Sequence, residues 1–197
     1  MSNTKSLQTD DAPRKGYGPT SFWLQEPAMV FAHLDLEPGQ VFLDAGCGAG
    51  EYSLYAARLL GETGRVIAVD NIALSTDALN NLPARPGEAP ITAFAGDITD
   101  TLPIDPHSVD AVFLSTVLHI KKVRDRAPEM FREFHRVLRT GGTLAVLECK
   151  KVEANFGPPL HSRLAEDDVR ALVEPHGFTH TSTLDTGHAN LIRFEAV

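Results

Sequence analysis

Residues 41–52, VFLDAGCGAGEY, constrain this chain more than any other stretch. Val41, Phe42 and Leu43 form an apolar run of the kind found in a buried parallel strand, and Asp44 opens a turn holding Gly46, Gly48 and Gly50 before helical periodicity begins. Glycines at such a junction let a ligand approach the backbone closely, and the helix that follows offers unpaired N–H groups to a polar or anionic ligand part. The expected order is strand, ligand loop, helix.

The spacing narrows the ligand. A dinucleotide fingerprint, G-x-G-x-x-G, counted from Gly46 requires glycine at position 51, where the chain has Glu51, a carboxylate that a pyrophosphate would meet badly. The pattern present, D-x-G-x-G-x-G from Asp44 to Gly50, resembles motif I of the class I S-adenosylmethionine-dependent methyltransferases. In that family the acidic residue and open loop receive an amino-acid moiety instead of phosphates.

The rest of the chain alternates strand and helix patterns. Residues 1–14 are polar without periodicity, so a tail over 1–15 is expected ahead of a single domain over 16–197. Phe22, Trp23, Leu24, Met29, Val30, Phe31 and Leu34 suit a helix that Pro27 begins or interrupts and Pro38-Gly39 closes. Tyr52, Tyr55, Ala56, Leu59 and Leu60 share one helix face, Val66 to Val69 predicts a strand ending in Asp70, and Leu74 to Leu82 predicts a second helix. Further strands are expected at Ile91 to Ala95, Val109 to Leu114 and Thr143 to Leu147. Between the last two, Ala127, Met130, Phe131, Phe134 and Leu138 predict a helix opened by Asp125 and Pro128 and closed by Gly141.

After an acidic helix start at Glu166, Asp167 and Asp168, strands over Phe178 to Leu184 and Ala189 to Val197 are joined by Asp185-Thr186-Gly187-His188. That connection fits a hairpin and is too short for a parallel crossover. The pattern as a whole predicts an α/β fold: a doubly wound, Rossmann-like three-layer sandwich with a mostly parallel seven-stranded sheet and an antiparallel C-terminal strand. The ending resembles the reversed seventh strand of the methyltransferase fold.

A net charge of −8 and a pI near 5.4 oppose a broad nucleic-acid or membrane surface, and Lys121, Lys122, Arg124 and Arg126 are too short a cluster to make one. Cys47 and Cys149 offer neither a disulfide framework nor paired metal-ligand spacing, so no metal is expected. With no apolar leader and no membrane-length apolar run, a cytoplasmic location is the expectation.

In a doubly wound sheet, ligands bind beyond the carboxyl ends of the strands at the topological switch point. Asp70, one crossover after the glycine loop, is placed to accept ribose hydroxyls, with Asn71 and Ile72 beside an adenine; a solvated strand-end aspartate is the structural alternative. For Asp97 and Ile98 the spacing leaves open a purely local turn role, and the resemblance implies contact with the adenine amino group and a ring nitrogen. It also implies that Asp44 meets the methionine ammonium, with Ser115 adding a polar contact. Cys47 is expected to be merely small, since no base adjoins it in sequence.

The implied cofactor is S-adenosyl-L-methionine, leaving as S-adenosyl-L-homocysteine. Methyl transfer from a sulfonium is an in-line displacement in which alignment supplies much of the acceleration, and a base is needed only when the acceptor must lose a proton. His119, just past the fourth strand, is the candidate base; a helix-start histidine is the alternative. Tyr17, Trp23, His119, Cys149, His161 and Arg163 are the candidate acceptor-pocket residues, with the segment 150–163 as a loop over the site. The fourth strand runs into Ser115-Thr116-Val117-Leu118-His119, which departs from the Asn/Asp-Pro-Pro-aromatic motif of enzymes that methylate nucleobase or glutamine nitrogens. The layout is similar to the small-molecule enzymes of the ubiquinone and menaquinone biosynthesis methyltransferase group. A nicotinamide-dependent oxidoreductase and a non-catalytic S-adenosylmethionine-binding module are the other readings.

Overall fold

The computed structural model describes residues 20–197. Tyr17 and the expected 1–15 tail lie outside the described residues. The chain opens with α1 (Ser21–Leu24) and α2 (Pro27–Leu34) and enters the sheet at β1 (Val41–Ala45). It continues through α3 (Glu51–Leu60), β2 (Arg65–Asp70), α4 (Ala73–Asn80), β3 (Ile91–Ala95) and β4 (Val109–Ser115). Helices α5 (Lys121–Asp125) and α6 (Ala127–Val137) lead to β5 (Leu138–Cys149), and α7 (Glu166–Val173) to the hairpin of β6 (Phe178–Asp185) and β7 (Ala189–Ala196).

The sheet order is β3-β2-β1-β4-β5-β7-β6. β7 runs antiparallel to both β5 and β6, and the strand pairs among the first five are parallel. β6 and β7 pair antiparallel because the connection at 186–188 is too short to carry the chain back across a face of the sheet, and β7 lies between β5 and β6. A dinucleotide-type sheet ends instead in the order 3-2-1-4-5-6. The seven-stranded, mostly parallel sheet expected from the sequence is therefore present, with its switch point between β1 and β4.

Strand alternation divides the core. Leu43, Val112, Leu114, Leu144 and Val146 face α6 and α7, packing with Met130, Phe131 and Phe134, while Phe42, Phe113, Ala145 and Leu147 face α2 and α3 with Phe31, Tyr52 and Tyr55. Leu43 and Ala45 of β1 lie on the α6 side, so Asp44 between them emerges with Phe42 on the α3 side.

Several boundaries differ from the sequence expectation. Helix α2 stops at Leu34, where Asp35 takes a left-handed conformation (φ 57°) and its N–H caps the Phe31 carbonyl, ahead of Pro38-Gly39. Helix α6 does not reach Gly141: Leu138 is already extended, pairs with Val109 and is buried in the core, and Gly141 (φ 74°) falls within an irregular stretch of β5. Tertiary pairing with β4 outcompetes one more helical turn there. The basic cluster after β4 forms the separate short helix α5, with no buried residue. No helix among the described residues is long and apolar enough to cross a membrane.

Candidate active site

The glycine loop is folded back on β2 by two hydrogen bonds, from the N–H groups of Gly46 and Cys47 to the Val69 carbonyl. Gly46, Gly48 and Gly50 all have positive φ (79°, 51° and 82°), which L side chains rarely adopt. A Cβ on Gly46 would come within 2.7 Å of the Val117 side chain, whereas one on Gly48 would meet nothing within 4 Å. Gly46 is thus required by packing as well as conformation, and Gly48 faces open space.

Asp70 ties the loop to the strand end. Its Oδ2 accepts the Gly48 N–H at 2.8 Å and its Oδ1 the Ile72 N–H at 2.9 Å, leaving further lone pairs on each oxygen. Asn71 and Ile72 are exposed beside it, Ile72 at half of its full exposure. Across the cleft, Asp97 accepts both the hydroxyl and the N–H of Thr99 on Oδ1 and the Lys122 ammonium on Oδ2. The Thr99 bonds, with Lys122 beside them, hold the Asp97 carboxyl down at about 2. Gly46, Asp70, Asn71, Ile72, Asp97 and Ile98 line one continuous cleft, closed on the far side by Val117, Ile120, Lys122 and Val123. Ile98 does so from the edge of the core, being only 5% exposed.

Asp44 is 1% exposed and accepts the Ser53 hydroxyl of α3 at 2.6 Å. Burial pushes its carboxyl up to about 7; the Ser53 bond works against this, and the neighbouring carboxylates Asp70 and Glu51 work with it. Such an acid is poised to be held ionised by a cation. Burial, with Asp44 and Asp70 nearby, also pushes the Cys47 thiol far up, so it is an inert small residue.

The N-terminal helices reach this edge of the sheet. The Ser21 and Ser115 hydroxyls hydrogen-bond at 2.8 Å, and the Trp23 indole N–H donates to Glu51 at the start of α3. The Tyr52 hydroxyl lies buried beside that serine pair. Just past Ser115, Thr116 adopts φ 51°, an uncommon conformation for a β-branched residue, while its N–H bonds the Leu147 carbonyl. This tight turn carries Val117 against the glycine loop and brings His119 over the end of β5. There Glu148, 2% exposed, accepts the N–H groups of Leu118 (2.6 Å) and His119 (3.3 Å) on Oε1 and the His119 Nδ1 at 3.1 Å on Oε2. Sequence patterning assigns Glu148 no role, because nothing local signals a partner 29 residues away.

Two of the acceptor-pocket expectations change. Arg163 is 4% exposed, and its guanidinium donates to the backbone carbonyls of Pro158, Lys150, Val152 and Phe156. It is the internal support of the 150–163 loop, with one donor left over at most, and not a group free to meet an acceptor. His161 is exposed on that loop's short 3-10 turn and is not among the described residues that line the cleft. Cys149 is buried, its thiol pushed up by that burial and by the Glu148 charge.

A family model described as a methyltransferase domain matches residues 43–146, the span from β1 into β5. The chain is 32% identical over 117 residues to a ubiquinone/menaquinone biosynthesis C-methyltransferase of Haemophilus ducreyi, covering 57% of this chain and 42% of that protein. It is 31% identical over 110 residues to a 2-phytyl-1,4-naphtoquinone methyltransferase of Nostoc punctiforme, covering 56% and 46% respectively. It thus spans under half the length of these curated relatives. Among solved structures, a SAM-dependent methyltransferase from Aquifex aeolicus superposes with a TM-score of 0.77 at 24% identity, covering 88% of this chain and 91% of that one, which speaks for the fold. With the glycine loop, sheet order and family match in agreement, the chain belongs to the methyltransferase domain family, within the class I S-adenosylmethionine-dependent methyltransferases.

Proposed function

We propose that this chain transfers a methyl group from S-adenosylmethionine to a small-molecule acceptor. The observation that carries the reading is the single cleft in which Gly46, Asp70, Asn71, Ile72, Asp97 and Ile98 meet at the switch point. The residues fit the cofactor on their own terms: the space at Gly48 is open, and among the described residues no cation partners the buried Asp44, whose carboxyl is raised by burial. When bound, the cofactor supplies a methyl group on a sulfonium, an already activated leaving group.

The protein's part is to hold and orient. Asp70 offers its free lone pairs to the ribose hydroxyls, and Asn71 and Ile72 form one wall for the adenine. Asp97 takes the adenine amino group by sharing Oδ2 with Lys122, whose side chain is 75% exposed and free to yield. Asp44 faces the ammonium and the sulfonium, and the Ser21–Ser115 pair with Tyr52 adds neutral hydrogen-bonding groups on the α1 side. Trp23 covers the start of α3, and Cys149 is a small wall near the acceptor.

Calorimetric titration with S-adenosylhomocysteine, with NAD as the comparison ligand, tests the reading. Saturable binding of S-adenosylhomocysteine alone is expected, followed by label transfer from methyl-labelled donor in an acceptor screen. Binding of NAD alone overturns it.

A further inference from the structure

The contact between His119 and Glu148 says more than that a histidine lies near the site. Glu148 Oε1 already receives two backbone N–H groups, from Leu118 and His119, and Oε2 faces His119 Nδ1 at 3.1 Å. A carboxylate only accepts hydrogen bonds, so Nδ1 carries the proton and the lone pair of the neutral ring lies on Nε2. Nε2 makes no hydrogen bond among the described residues, and the His119 side chain is 19% exposed while Glu148 is buried. In the chain His119 stands between Val117 and Ile120, which line the cleft with Gly46, so it lies at the cleft's border and not in its lining.

We propose that Glu148 is the positioning residue that locks His119 as the Nδ1–H tautomer. Nε2 is then left as a proton acceptor for a methyl acceptor that must lose a proton, and the class we take for it is a hydroxyl oxygen. The proposal rests on the methyl-transfer reading and names the acceptor class for the same site. As the acceptor oxygen bonds the methyl carbon, the sulfur–methyl bond breaks with its electron pair left on sulfur, and the oxygen's proton passes to Nε2. Charge balances, since one cation is lost at sulfur and one gained at the imidazole. A thioether acceptor would have no proton to give and would leave this arrangement without a task.

The variant Glu148→Gln separates positioning from support. To keep accepting the Leu118 and His119 N–H groups, the amide must leave its oxygen at the Oε1 position, which turns its NH2 group toward Nδ1. His119 then becomes the Nε2–H tautomer with the loop intact, and the proton acceptor is lost. Nitrogen-15 spectra of histidine-labelled protein at alkaline pH, with His119→Gln identifying the signals, read this directly. The expected result is Nδ1–H in the wild type, Nε2–H in Glu148→Gln, and S-adenosylhomocysteine affinity within about twofold in both. On a series of substituted phenols with labelled donor, Glu148→Gln is expected to lower kcat by about 100-fold or more, as for loss of a general base. The loss should be smallest for the phenol already ionised in solution. An Nε2–H wild type, an unchanged tautomer in the variant, or equal turnover overturns the proposal, as does methylation of no phenol by a wild type that binds S-adenosylhomocysteine. Failure of the wild type to bind S-adenosylhomocysteine instead overturns the cofactor reading beneath it.

Discussion

Replacing Asp44 by Asn should change how stability depends on pH, in a direction opposite to that of an ordinary salt-bridged carboxylate. Asp44 is fully buried, and its carboxyl is pushed from 3.8 to about 7 chiefly by desolvation. A folded-state value raised above the unfolded one means that the unfolded chain loses this proton first as pH rises. Asp44 therefore costs no stability below pH 4 and progressively more up to about pH 7, above which the cost is constant. At about 1.36 kcal/mol per pH unit between those values, the full cost is about 4 kcal/mol. Asn keeps an oxygen for the Ser53 hydroxyl and cannot ionise. Urea unfolding of both proteins without ligand, from pH 4 to 8, should show the variant gaining on the wild type by about 4 kcal/mol across that range, while other titrating groups cancel in the difference. A difference independent of pH would mean that Asp44 is ionised and well solvated in the fold, and would refute the reasoning.

The same residue links binding to protons: at pH 7 a ligand ammonium should eject up to about half a proton from Asp44, seen by titrating S-adenosylhomocysteine in buffers of different ionisation enthalpy and absent in Asp44→Asn. Asp70→Ala should weaken S-adenosylmethionine and S-adenosylhomocysteine alike by about 1 to 3 kcal/mol, because the Gly48 and Ile72 N–H groups lose their acceptor and with it goes the proposed ribose contact; equal affinity in calorimetry would remove the ribose assignment. Gly46→Ala should cost about 1 to 2 kcal/mol in backbone strain plus the clash with Val117, and adding Val117→Ala should return the clash but not the strain when unfolding free energies are compared. Arg163→Ala should lower stability by about 3 kcal/mol and open the 150–163 segment to limited proteolysis, since four carbonyls lose their shared donor; an unaltered cleavage pattern would contradict its role as the loop's internal support.

What could be read along the chain was what depends on neighbours in sequence. The apolar run before Asp44, the three glycines of its turn, the helix faces and the short 186–188 connection are local demands of backbone conformation and burial, so the alternating elements and the antiparallel terminal hairpin followed. The strand-end carboxylates Asp44, Asp70 and Asp97 could be located for the same reason, because a doubly wound sheet sends every parallel strand's carboxyl end to one edge.

What needed the tertiary structure was which polar group spends itself on which partner. Arg163, a candidate acceptor-pocket residue from the sequence, is consumed by four carbonyls of its own loop, since a buried guanidinium must satisfy its donors wherever the chain bends around it. Leu138 left the helix because β4 offered it a strand partner in the core. Glu148 meets His119 only because β5 lies beside β4 and the left-handed Thr116 folds the next residues over that strand's end. Patterning in sequence determines elements and their faces, whereas a hydrogen bond between residues far apart in the chain exists only once the sheet has brought their strands side by side.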